Sequence, residues 1–305
     1  MERIEQFLSV EDGLRLRYCT LGTGADVVVI PGACWLDVDW EPLLPGRMLV
    51  FYDSRGRGGS DTVTDQTKLG LRQEVQDLEA LRQHLGLHPF CLIGWAYLAA
   101  VVARYTRACP EHVSRLLLIG ALPLQRSLYT AKKEPEAATL RARAAARVDS
   151  AAEKQLKKMR QAGVPACDPM RYCRAYNRVY LPQRLGDPTA ITRMRNDPCS
   201  FPNEWPENVQ AFFRVLFSDF GNWNWRRDMA HISTPTLVIH GIEDTLRLAA
   251  SQDWAATLQN ARLLVMDGVG HFPWLDAPDR FFVAADQFLG GHWPIDAESA
   301  ALGLF

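Results

Sequence analysis

The 305-residue chain is poor in the features that mark most specialised proteins. Its seven cysteines, at 19, 34, 91, 109, 167, 173 and 199, form no CxxC pair, and their odd number excludes a complete disulfide framework. They read as reduced thiols. Cys91 falls in an apolar run and reads as packing, while Cys167 and Cys173 are close enough to be neighbours but lack companions at metal-ligand spacing. No metal site is expected. A net charge of -1 leaves no global field for nucleic acid or an anionic membrane, so no nucleic-acid or membrane partner is expected. The longest nearly uncharged run, Pro89 to Ala103, stops at Arg104, short of the roughly 20 residues that span a bilayer. Residues 1–20 carry Glu, Arg and Asp among their apolar positions, unlike a secretory signal, and a cytoplasmic location is expected. The glycines at 56, 58 and 59 are not followed by the Gly-Lys-Ser/Thr ending of a phosphate loop, and no cofactor is expected.

What the chain does have is a rhythm of short apolar strands and amphipathic helices. Asp26-Val-Val-Val-Ile-Pro31 and Arg47-Met-Leu-Val-Phe-Tyr52 are β-branched or apolar runs ended by turn residues. Between Leu71 and Leu85 the apolar positions are Leu71, Val75, Leu78, Leu81 and Leu85, one face of a helix, with Arg72, Glu74, Asp77 and Glu79 on the other. A strand at 90–93, a helix at 96–108 and a strand at 115–120 follow. The rhythm returns at 235–241, with a helix from about 249 to 259, a strand at 261–266 and a closing helix at 278–289. Short, wholly apolar strands alternating with helices indicate a parallel sheet covered on both faces. From 122 to 229 the strands vanish. A block of that length between two sheet strands reads as an inserted helical cap, which divides the chain into core residues 1–121, cap residues 122–229 and core residues 230–305.

The run Leu92-Ile93-Gly94-Trp95-Ala96-Tyr97-Leu98 places a small residue at the sharp turn between a buried strand and a helix, at the sheet's carboxyl end where open α/β sheets bind ligands. Four segments here resemble the α/β-hydrolase family, specifically its cap-bearing esterase and proline-iminopeptidase-like members. Pro31-Gly32-Ala33 stands where the family has an oxyanion loop, with Pro31 in place of the usual histidine; 52–61 looks like its YDxRGxGxSD turn. The strand-to-helix elbow comes next, and His240-Gly241-Ile242-Glu243-Asp244 and Gly268-Val269-Gly270-His271 look like its acid and histidine loops. The order nucleophile, acid, histidine is the family's own.

The resemblance implies an α/β-hydrolase fold, mostly parallel with helices on both faces. It implies that Asp244 orients His271, that His271 is the general base, and that the amides of Ala33 and Tyr97 bind an oxyanion. The nucleophile position holds Ala96, which has no oxygen to attack with, so the chain is expected to bind a small-molecule acyl substrate without turning it over. Glu243 is the alternative acid. Trp35, Trp95, Cys34 and Phe272 lie near these positions in sequence and are expected to line an apolar acyl pocket. Two other readings stay open: a lyase, isomerase or cyclase that uses His271 and Asp244 for proton transfer alone, and a non-catalytic receptor. Residues 126–184 carry 14 Lys or Arg against 5 Asp or Glu. This excess reads as a solvated helix face, or more sharply as a place where an acidic group docks near the cap. Oligomeric state leaves no mark on the sequence.

Overall fold

The computed structural model describes residues 4–130 and 135–299. Its nine strands are β1 (Ile4–Ser9), β2 (Arg15–Leu21), β3 (Asp26–Pro31), β4 (Arg47–Tyr52), β5 (Phe90–Trp95), β6 (Val113–Ile119), β7 (Thr236–Gly241), β8 (Ala261–Met266) and β9 (Glu298–Ser299). They form one sheet in the order β1-β2-β4-β3-β5-β6-β7-β8-β9. Pairings from β4 to β8 are parallel, while β1, β2 and β9 join antiparallel at the edges. This is the α/β-hydrolase fold expected from the sequence. The edge strands escaped the sequence reading because β1 and β2 intersperse polar residues among apolar ones and β9 is two polar residues, so none has the continuous apolar character of the centre.

Each central strand is buried on both faces, and the alternation of its side chains builds two cores. Val29, Leu92, Leu116, Leu118 and Val238 pack with Leu78, Leu81, Val101 and Trp254 on one side. Val28, Ile30, Ile93, Leu117, Ile119 and Ile239 pack with Trp40, Phe281 and Phe288 on the other. The helix Leu71–Leu85 belongs to the first layer and Pro278–Leu289 to the second. Strand order reverses around β3, whose neighbours are β4 and β5. The loops leaving β3 and β5 therefore diverge and open a crevice at the sheet's carboxyl end.

Between β6 and β7 the chain forms helices, the longest being Pro135–Ala146, Ser150–Gln161, Pro169–Tyr180 and Pro206–Phe220. The Asp149 carboxylate caps Ser150–Gln161 by accepting from the amides of Ala151 and Ala152. Leu156, Met159, Tyr172 and Val179 form a small satellite core. Phe212, Leu216 and Phe220 of the last long helix join the main core instead. One expectation is corrected here: Cys173 and Cys199 form a disulfide, so the seven cysteines are not all reduced thiols. The fold brings a helix residue against a turn 26 positions later, a pairing that an odd cysteine count cannot reveal. Cys167, the other expected neighbour of Cys173, is exposed and free. Among the described residues no helix is long and apolar enough to cross a membrane.

Candidate active site

At the end of β5 the backbone is bent by force. Ala96 has φ 56°, the one non-glycine residue with positive φ among those described. A side chain in this left-handed region costs about 1–2 kcal/mol and persists only where its surroundings dictate it. Here they do: the Ala96 amide donates to the Ile119 carbonyl at 3.0 Å, and its carbonyl accepts from the Leu122 amide at 3.0 Å. Two residues earlier, a Cβ on Gly94 would stand 2.4 Å from Val102 and 2.7 Å from Ala99, so only glycine lets the helix Leu98–Ala108 close onto the strand. The result is a sharp strand-to-helix turn that presents the Ala96 methyl to a cavity of about 450 Å³.

His271 and Asp244 meet beside this turn. Nδ1 of His271 lies 2.8 Å and 3.0 Å from the two carboxylate oxygens of Asp244, and both side chains are buried. The Leu246 amide donates to the same carboxylate at 2.8 Å. Gly120, adjoining the Ile119 carbonyl that holds Ala96, has φ 48°, and a Cβ there would come within 2.8 Å of Asp244 and 2.9 Å of His271. The dyad is thus packed against the residue next to the partner of Ala96. The histidine loop is fixed by its own bonds: the His271 amide donates to the Arg184 carbonyl at 2.7 Å, and the Gly270 amide to the Asp276 carboxylate at 2.7 Å. Glu243, the alternative acid, instead pairs with Arg143 and Arg147.

Burial pushes the His271 imidazole below its ordinary value, Asp244 opposes this, and the Arg184 guanidinium adds to it. Burial acts to raise Asp244, but the charge and hydrogen bond of His271 outweigh it and hold the carboxylate low. The pair is therefore a neutral imidazole behind an ionised acid near neutral pH. With Nδ1 turned to Asp244, Nε2 has no hydrogen-bond partner among the described residues, an atom able to take a proton from whatever stands beside it.

The other sequence-selected residues fall into two groups. Cys34, Trp35, Trp95 and Tyr97 line the cavity with Ala96. Trp35 and Trp95 stand 6.1 Å apart, and the Trp95 indole donates to the His271 carbonyl at 2.9 Å. The Cys34 thiol is pushed up by burial and by nearby Asp53 and Glu204, so it is held as an unreactive thiol. Phe272 does not line the cavity: it lies behind it, 4.9 Å from the Trp95 ring and 5.4 Å from Trp274, because the chain turns it away from His271 into the core. The Ala33 side chain is also buried away from the cavity, which leaves only its backbone to act there. Neither the Ala33 nor the Tyr97 amide donates to another backbone group among the described residues. Ala33 opens the short helix Ala33–Leu36, and Tyr97 immediately precedes the helix Leu98–Ala108.

Sequence reasoning missed Glu204 and Arg184. Glu204 accepts from Arg57 twice, at 2.7 and 2.8 Å, from the Gly58 amide at 2.8 Å and from the Trp35 indole at 2.8 Å, joining the helical block to the sheet. Both residues sit in short turns, where no periodicity says which way a side chain faces. Among the described residues no group of three or more His, Cys, Asp or Glu is placed to hold a metal ion.

Residues 27–285 match the alpha/beta hydrolase family. A non-heme haloperoxidase from Rhodococcus erythropolis is 26% identical, covering 87% of this chain and 92% of its own length. A pimeloyl-[acyl-carrier protein] methyl ester esterase from Nitrosomonas europaea is 24% identical, covering 88% of this chain and 96% of its own. In structure, an esterase from Exiguobacterium antarcticum superposes with a TM-score of 0.69 at 17% identity, over 94% of this chain and 100% of that one, which shows a shared fold. Strand order, elbow and family match agree: the chain belongs to the alpha/beta hydrolase family.

Proposed function

We propose that the site is that of a serine-type carboxylic ester hydrolase whose nucleophile position holds Ala96, so that this chain binds an acyl substrate and does not turn it over. The observation that carries the reading is the backbone of Ala96. A left-handed residue between a buried strand and a helix is strained for any L side chain, and the strain serves one purpose, to thrust Cβ into the cavity. An alanine gains nothing from that position; a serine there would carry a hydroxyl on the turn against which the buried His271–Asp244 pair packs, and Nε2 of that histidine has no hydrogen-bond partner among the described residues.

In this reading His271 takes the proton of a hydroxyl at residue 96, and Asp244 holds the ring and stabilises the imidazolium. The amides of Ala33 and Tyr97 receive the oxyanion that forms when the carbonyl is attacked, while Trp35 and Trp95 flank the acyl chain. Residues 122–229 act as the cap that selects the substrate. The ester preference is supported by the esterase relative and by the paired state of the carboxylates in the cavity. Asp53 and Glu204 are both saturated by cations and amides, so among the described residues that line the cavity no acid is free to receive the ammonium of an amino-terminal residue.

The intact dyad favours a second reading, proton transfer without a nucleophile, because everything it needs is present with Ala96 in place. One experiment separates the two. Ala96→Ser is expected to hydrolyse p-nitrophenyl butyrate while the parent chain does not. Turnover of a carbon acid by the parent chain, abolished by His271→Ala, would support the second reading, and a folded but inert Ala96→Ser would refute the first.

A further inference from the structure

The charged groups of the cavity are matched except at one place. Asp53 receives Arg17 at 2.7 Å, the Cys34 amide at 2.8 Å and the Gly59 amide at 3.0 Å. Glu204 and Arg57 satisfy one another as described above. Arg184 also lines the cavity, but its guanidinium has no hydrogen-bond or ion-pair partner among the described residues. The guanidinium lies over the face of Phe272, its carbon 5.7 Å from the ring centroid. Asp244 contributes attraction at a distance, yet its oxygens are already taken by His271 and the Leu246 amide.

Its position is not accidental. Arg184 is fixed through its backbone, whose carbonyl accepts from the His271 amide, and it ends a turn, Pro182–Arg184, that follows the helix Pro169–Tyr180. Arg184 and Thr245 line both the cavity containing Ala96 and a second cavity of about 570 Å³, which also has Arg141 and Arg247 in its wall. Arg247 is neutralised by Glu136 at 2.8 Å. Arg184 therefore stands in the wall shared by the two cavities, and among the described residues no unpaired acid lines either of them.

We propose that Arg184 is a specificity residue that binds a carboxylate on the substrate, so that the acyl ligand of this site is a half-ester of a dicarboxylic acid. A guanidinium keeps its proton even when buried, and its planar fork matches a carboxylate in two parallel hydrogen bonds. Burial disfavours this cation when it is alone, a penalty that an incoming anion relieves. The apolar wall of Trp35 and Trp95 takes the ester end and the cation takes the acid end. The ligand class rests on the ester-hydrolase reading above, but the binding test does not need catalysis.

The test uses the chain as it is, with Ala96. Calorimetric affinities are measured for the monomethyl esters of succinic, glutaric and adipic acid, each against its neutral dimethyl ester. At least one acid is expected to bind about tenfold more tightly than its diester, as one charge-assisted hydrogen bond supplies. Arg184→Met is expected to bring that ratio to within about twofold by weakening the acid alone, and Arg184→Lys to retain an intermediate ratio. A purely structural role would weaken acid and diester together. Equal affinities in the parent chain, absence of saturable binding of all three acids, or an unchanged ratio in Arg184→Met overturns the proposal. Fluorophosphonate labelling of Ala96→Ser with Arg184 intact reports separately on the hydrolase reading, so failure of either is recognised by itself.

Discussion

Glu74 lies on the otherwise charged face of the helix Leu71–Leu85, yet the fold buries it, with 1% of its surface exposed. Burial raises its carboxyl from 4.5 to about 7, and Asp77 adds to the rise, while the Ser54 hydroxyl, Arg55 and Arg57 offset part of it. The folded state therefore holds a proton that the unfolded chain releases above pH 4.5. Between pH 4.5 and about 7 the native state binds more protons than the unfolded state, so stability falls as pH rises through this window and is level above it. At about 1.4 kcal/mol per pH unit the full effect is about 3 kcal/mol, of which about 2–3 kcal/mol accrues between pH 5 and pH 8. Glu74→Gln keeps the shape and removes the titration. Urea denaturation of both proteins at pH 5 and pH 8 is expected to show the variant gaining about 2–3 kcal/mol on the parent across that interval, whatever its offset at pH 5. A difference that stays constant, or moves in favour of the parent, would refute the reasoning.

Other perturbations follow from the same packing. Gly120→Ala puts a Cβ against Asp244 and His271 at a left-handed backbone position and is expected to destabilise the protein by about 2–4 kcal/mol; a loss below 1 kcal/mol in denaturation would contradict the stated contacts. Glu204→Ala leaves Arg57 buried and unpaired and is expected to lower stability by about 3–5 kcal/mol, read by the same assay; a neutral result would mean that the pair is not buried as described. In Ala96→Ser, the acid limb of the pH profile of kcat/KM is expected to have its midpoint below 6.5. Burial and Arg184 disfavour the imidazolium of His271 more than Asp244 favours it, and a midpoint above 6.5 would reverse that balance.

The strands from β3 to β8 were legible because short, largely apolar runs ended by turn residues recur along the chain, although the equally apolar stretch 98–103 is helical. The helix at Leu71–Leu85 was legible from its 3.6-residue stripe. That same stripe misleads at Glu74 and Asp77, which sit on the polar face yet are covered by the 53–57 loop and its arginines. Ala96, Asp244 and His271 could be picked out because each follows a strand end and has a glycine within the three residues before it, at 94, 241 and 270. Phe272 was misjudged because nearness in sequence to His271 does not fix which side of the chain a ring takes. The Cys173–Cys199 bridge, the Glu204–Arg57 pair and the inward turn of Arg184 depend on how the segments between β6 and β7 fold back, information that no local pattern carries. The basic excess of 126–184 is partly a solvated or paired surface, as Arg143 and Arg147 with Glu243 show, and partly Arg184, which lines the cavity.

The most direct measurement is the intact mass of the Ala96→Ser protein after exposure to a fluorophosphonate, compared with the Ala96→Ser/His271→Gln double variant. A single phosphonyl adduct mapping to residue 96, formed by the first protein and not by the second or by the parent, is the expected result. A folded Ala96→Ser protein that gains no mass, or one labelled equally well without His271, would contradict the proposed meeting of nucleophile position and base.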